Sequence, residues 1–297
     1  MGDTSSINGT MIALRVISNP CSNALQKALG AGGWPSAVLL AFTHGLLGPW
    51  AMALLMRAGD ALGPAFWAWS LLSAILAVVA NGLIIEAVRR SDLSLLGPIN
   101  AYKPWVSLLP SWLLLGELPL GTDWVGMGLV LLGSGVLGGV GGSAPAPPGR
   151  PWGLWLDRGV QLRFLALVFS SAEAVTLKRA LSLADPDAVF AAWVLLGFLV
   201  AAPFAWRARG ACPSTSDRLL RALPACLALA VTTGLMQFST LVVLESLPTG
   251  LALSFFQLSA VLSVFLGRAF FREPRFGRRL FGACVMTAGA VVMVLSR

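Results

Sequence analysis

Residues 115–126 read Leu115-Gly116-Glu117-Leu118-Pro119-Leu120-Gly121-Thr122-Asp123-Trp124-Val125-Gly126. A related pattern returns 156 residues later, where Glu117 aligns with Glu273, Gly126 with Gly282, Gly133 with Gly289 and Val136 with Val292. Backwards along the chain at the same offset, Leu95 meets Leu251 and Ser107 meets Ser263. With a slightly smaller offset, Lys27-Ala28-Leu29 falls on Lys178-Arg179-Ala180-Leu181. Chance identities are common in apolar sequence. The weight lies in a constant offset held through two apolar segments and the loop between them, which reads as a duplication.

A helix needs about 20 mostly apolar residues to cross a bilayer. Ten such segments are predicted, at residues 11–29, 36–56, 65–87, 93–115, 122–141, 159–177, 187–206, 222–244, 249–267 and 278–295. Five fall in each half. A unit of five spans starts and ends on opposite sides, so its copy inserts upside down. The expected fold is an all-α integral membrane protein, with ten transmembrane helices as two inverted five-helix repeats around a central cavity. The repeats cover 1–141 and 159–297. A Pro/Gly-rich linker at 142–158, with Ala144-Pro145-Ala146-Pro147-Pro148-Gly149, joins them.

Composition agrees. Hydrophobic residues make up 57% of the 297 and charged residues 11%, against roughly 45–50% and 25% in soluble proteins. Mean hydropathy is +0.79. The net charge of +8 does not indicate a nucleic-acid partner. The basic residues form short runs between apolar segments, where they set membrane orientation. Cys21, Cys212, Cys226 and Cys284 show no CxxC spacing, so neither a disulfide framework nor a metal site is indicated. The first apolar stretch lacks the features of a secretory signal and reads as a span. The single histidine, His44, and the lack of a mid-span aspartate give no nucleophile–base or metal constellation. Neither an enzyme nor a cofactor is expected.

Arg57, Lys178, Arg179 and Arg297 fall on one side of the predicted topology. Thirteen arginines fall on the other, among them Arg89, Arg90, Arg207, Arg209, Arg278 and Arg279, with Lys27 and Arg163 adding to that side. The richer side is expected to be cytoplasmic, which places both termini away from the cytoplasm.

Polar groups inside a span face a cavity or another helix. The first span aligns Arg15, Asn19, Ser22 and Gln26 on one stripe, with Asn23 beside it. The third carries Ser70, Ser73 and Asn81; the fourth, Asn100, Lys103 and Ser107; the sixth, Ser170 and Glu173. The eighth carries Thr233, Gln237 and Thr240, and the ninth Ser254 and Gln257. The other four spans are nearly bare. Spans one, three, four, six, eight and nine are therefore expected around a water-filled cavity. The alternative is that these side chains only join helix to helix.

Lys103 and Glu173 stand out, because a midplane charge costs about 2.5–3.5 kcal/mol. They are expected to line one cavity and interact, directly or through substrate, with Glu173 coupling proton movement to transport. A structural ion pair is the rival reading. Trp105 either stacks on substrate or packs. Pro20, Pro98, Pro104 and Pro110 should kink the first and fourth spans. The run 133–138 matches GxGxxG without a βαβ context. Small residues there, including Gly135 and Gly139, instead suit close helix packing. The substrate-binding set is Asn19, Asn23, Asn81, Asn100, Lys103, Trp105, Glu173, Gln237 and Gln257.

The pattern resembles the drug/metabolite transporter superfamily, specifically its EamA-type permeases. The resemblance is carried by the duplicated five-span units and by Asn23-Ala24-Leu25-Gln26-Lys27 closing the first helix. It is also carried by Asp92-Leu93-Ser94-Leu95-Leu96-Gly97-Pro98 opening the fourth, and by Leu115-Gly116-Glu117 with Trp124-Val125-Gly126. Arg272-Glu273-Pro274 with Gly282 is the counterpart in the second half. It implies alternating access between two bundles without ATP. Two departures are visible. Members mostly keep both termini in the cytoplasm, and the tryptophan common in their first helix is replaced here by the Asn19-Pro20-Cys21 region.

The expected function is export of a small polar metabolite across the cell membrane. A lipid-linked sugar flippase of the same fold and a non-transporting scaffold are the alternatives. Expected partners are the metabolite, membrane lipids and a coupled proton, with a homodimer as a candidate assembly.

Overall fold

In the computed structural model the described residues are 2–58, 62–90, 99, 102–119, 121–138, 157–212, 216–259, 261–262 and 276–295. Among them every regular element is helical. In chain order these are α1 (Gly2–Ala31), α2 (Ser36–Ala58), α3 (Pro64–Arg90), α4 (Lys103–Val106), α5 (Leu108–Leu115) and α6 (Asp123–Gly138). They continue with α7 (Arg158–Leu181), α8 (Pro186–Ala208), α9 (Ser216–Ser246), α10 (Thr249–Phe256) and α11 (Phe276–Leu295).

Among the described residues, five helical stretches are long and apolar enough to cross a membrane: 36–57, 64–87, 158–181, 186–211 and 220–246. α6 and α11 contain shorter apolar stretches. α1 has ample length, but Arg15, Asn19, Asn23 and Gln26 dilute its apolar content. The expected fourth span is described at Ile99 and from Tyr102 onward, and is interrupted at Ser107, between α4 and α5. Pro110 has no N–H to close on the Val106 carbonyl, and its ring crowds that turn. The expected linker lies outside the described residues except at its end, where Arg158 already belongs to α7.

Local sequence fixes several helix ends. Asp157 caps α7 by accepting from the Val160 N–H at 3.0 Å, and Asp185 caps α8 by accepting from the Ala188 N–H at 2.8 Å. Such caps contribute about 1 kcal/mol each. Gly116, at φ +69°, ends α5 and turns the chain back so that the Glu117 N–H reaches the Ser111 carbonyl at 3.3 Å.

Helices of the first half lie along helices of the second: α1 on α9, α2 on α8, α3 on α7 and α6 on α11. The registers are antiparallel where contacts define them. Arg15 reaches Thr240 while Ser22 reaches Thr233. Gly126 faces Gly289 while Gly133 faces Gly282. A Cβ on Gly133 would lie 2.6 Å from the Gly282 carbonyl oxygen, and one on Gly126 2.7 Å from that of Gly289. The close approach expected near Gly135 and Gly139 is thus carried by Gly126 and Gly133; Gly139 lies outside the described residues. The larger core, with Phe66, Phe190, Trp193, Leu241 and Leu244, joins α3, α8 and α9. A second core, with Met127, Leu251, Phe255, Met286 and Met293, joins α6, α10 and α11.

Candidate functional site

Among the described residues, Arg15 on α1, Lys103 opening α4, and Arg163 and Glu173 on α7 carry charge deep in the protein, and Asp123 at the start of α6 is also buried. Lys103 is the hub of the first four. It is within electrostatic reach of Glu173, Arg15 and Arg163, and Glu173 also reaches Arg15. Each of the four keeps some accessible surface despite its depth, so none is sealed into apolar packing. No ion pair within 4.0 Å joins Lys103 to Glu173. The two interact at longer range.

The surroundings hold these charges from several helices. The Arg15 Nε donates to Thr240 Oγ1 at 2.7 Å, and its guanidinium carbon stands 5.0 Å from the Phe256 ring centroid. The Arg15 Nη1 is buried with no hydrogen-bond partner, as is the Arg163 Nε. Trp193 on α8 is fixed by the His44 ring at 4.4 Å and stacks on Phe190 at 6.2 Å. Its indole N–H lies beside the Glu173 carboxylate and favours its charged form. The Gln237 Nε2, one turn before Thr240 on α9, is likewise buried and unpartnered.

The other residues of the expected binding set divide. Asn19 is half-buried and donates from Nδ2 to Ser259 Oγ at 3.0 Å. Asn81 and Gln257 donate to carbonyls of their own helices, Ala77 at 2.9 Å and Leu253 at 3.2 Å. Asn23 is exposed. Trp105 packs against the second core and lies 5.8 Å from the Trp124 ring, its Nε1 buried and unpartnered. Asn100 lies outside the described residues. Many of the hydroxyls, including Ser73, Ser107, Ser170 and Ser254, donate to carbonyls three or four residues back, the helix-internal use that needs no ligand.

Two members of the charge cluster are absent from the expected set. Arg15 belongs to the polar stripe of the first span, but its charge is left out. Arg163 is counted with the loop cations, although position 163 already lies inside the predicted span 159–177. That position was the available signal.

At one end of the bundle a second polar group ties the ends of α5, α7 and α9 and the start of α10. The Lys178 Nζ pairs with Glu117 Oε1 at 2.7 Å and also donates to the Leu247 carbonyl. Glu117 Oε2 accepts from the Thr249 N–H at 2.9 Å and from its hydroxyl at 3.0 Å. Both charged side chains are mostly buried, at 15% and 22% exposure. The arrangement is a clasp across four helix ends.

Comparison with known proteins agrees with this architecture. No curated protein sequence matches the chain. One solved crystal structure superposes with a TM-score of 0.72 at 18% identity, over 100% of this chain and 98% of that one. At that identity the likeness shows the fold alone. The model of the EamA-like transporter family matches residues 22–139 and again residues 157–295. The chain is therefore a membrane protein of the EamA-like transporter family, within the drug/metabolite transporter superfamily.

Proposed function

We propose that this protein is a secondary active transporter that exports a small polar metabolite across a cell membrane by alternating access. The charge cluster carries this reading. Lys103 stands within electrostatic reach of Arg15, Arg163 and Glu173 deep among α1, α4 and α7, with partial access and without a closed Lys103–Glu173 ion pair. Charges placed so deep are costly unless water or substrate reaches them. A scaffold protein gains nothing from them.

The helix pairing supports an inverted repeat. Exchange each first-half helix for its counterpart, α1 for α7, α2 for α8, α3 for α9 and α6 for α11. The α1–α9 contact then becomes the α7–α3 contact, while α2–α8 and α6–α11 map onto themselves. In an alternating-access cycle the Glu117–Lys178 clasp closes one end, and Glu173 couples proton movement to substrate. The test is metabolite profiling, inside and outside cells expressing wild type, Glu173→Gln or an empty vector. One compound class displaced only by wild type supports the reading. No displacement at verified expression overturns it.

A further inference from the structure

We infer that the transported substrate is a dianion with an oxygen-rich head group, gripped by Arg15, Lys103 and Arg163. This inference rests on the transporter reading and narrows its substrate.

Hydrogen-bonding inventory and charge point the same way. The Arg15 Nη1, Arg163 Nε and Gln237 Nε2 are all buried without a partner. All three are donors. A buried donor left unpaired is destabilising, and native proteins leave few of them. Two of the three belong to the cations themselves, Arg15 and Arg163, and the third stands one turn from the Thr240 that binds Arg15, so the cluster is short of acceptors. Among the described residues, Glu173 is the one carboxylate within electrostatic reach of Lys103 and Arg15, and Arg163 joins the cluster through Lys103. With Glu173 ionised, three cations and one carboxylate leave two positive charges uncompensated. A ligand bringing two negative charges and several acceptor oxygens supplies what both shortages call for.

Other substrate classes fit less well. An amine or guanidinium would add donors to a site that lacks acceptors, and positive charge to a positive cluster. A neutral polyol would fill the acceptor positions but leave the two charges unbalanced. The arginine fork binds carboxylate and phosphate oxygens in the same geometry, so both head groups share the required chemistry.

The experiment uses the full chain, purified in detergent. Thermal stabilisation is titrated with succinate, glycerol 3-phosphate, inorganic phosphate, glycerol and putrescine, followed by counterflow of each binder in proteoliposomes. Saturable stabilisation by succinate or by the phosphates, with glycerol and putrescine inert, is the expected result. Which of the two anions binds identifies the head group. Arg163→Gln should weaken that binding roughly tenfold or more, and Arg163→Lys less, consistent with loss of a charge-assisted hydrogen bond. Binding of putrescine or glycerol to wild type at least as tight as that of the anions overturns the inference, as does no anion binding at millimolar concentration. An anion that binds but gives no counterflow leaves the site standing and removes the transporter reading. Counterflow of a neutral or cationic compound does the reverse.

Discussion

Replacing Glu117 by alanine should loosen four helix ends at once. The carboxylate holds Lys178 at 2.7 Å through one oxygen, and the Thr249 N–H and hydroxyl at 2.9 and 3.0 Å through the other. Hydrogen bonds to a charged group contribute about 1.5–3 kcal/mol each. Here the sum is smaller. Lys178 keeps the Leu247 carbonyl, and exposures of 15% and 22% allow some solvent screening. The net cost is about 2–3 kcal/mol, which lowers the melting temperature by several degrees. The assay is a double-mutant cycle with Lys178→Met, followed by thermal unfolding in detergent. If Glu117 and Lys178 act together, the double mutant should be more stable than the summed single effects imply, with a coupling of about 1–2 kcal/mol. Additivity within about 0.3–0.5 kcal/mol would refute the clasp.

Gly133→Val drives a side chain into the Gly282 backbone, 2.6 Å from where its Cβ must sit, and should destabilise the protein by about 1–3 kcal/mol or more. An unchanged melting curve would contradict the backbone contact between α6 and α11. Asp185→Ala removes the α8 cap and should cost about 1 kcal/mol, while Asp185→Asn keeps most of it; equal losses would argue against capping. Exchanging Lys103 and Glu173 tests whether they interact: each single reversal should abolish transport and the exchange should restore part of it. Failure of the exchange to rescue either single variant removes the interaction.

Much of the fold is legible in the sequence because hydropathy reports burial in lipid directly. The predicted segments 36–56, 65–87, 187–206 and 222–244 each fall inside an observed helix. The ends were harder to read. α1 begins at Gly2 rather than near residue 11, because Gly2–Thr10 is helical but not apolar. The fourth segment hides its interruption at Ser107, since apolar content continues through Pro104 and Pro110 while the hydrogen bonding does not. The offset of 156 pairs Gly126 with Gly282 and Gly133 with Gly289, yet the structure joins Gly126 to Gly289 and Gly133 to Gly282. Antiparallel packing of α6 and α11 crosses the equivalents.

The site was legible where a charge stands alone in apolar sequence, as Lys103 and Glu173 do. Arg163 sits five residues into α7, close enough to its start to be counted with the flank. Its place beside Lys103 comes from the α3–α7 and α4–α7 packing, which no local pattern encodes. The asparagines and glutamines were harder still. One side chain type serves Asn19 across helices and Asn81 within its own helix, and only the neighbours decide which.

The most direct test of the central claim is counterflow in proteoliposomes holding the purified chain, preloaded with the compound that cellular profiling identifies. Alternating access around the charge cluster predicts transient accumulation of labelled compound above its external concentration by wild type, and none by Glu173→Gln or Arg163→Gln. Folded wild-type protein that gives no accumulation, or variants that accumulate as wild type does, would contradict the account.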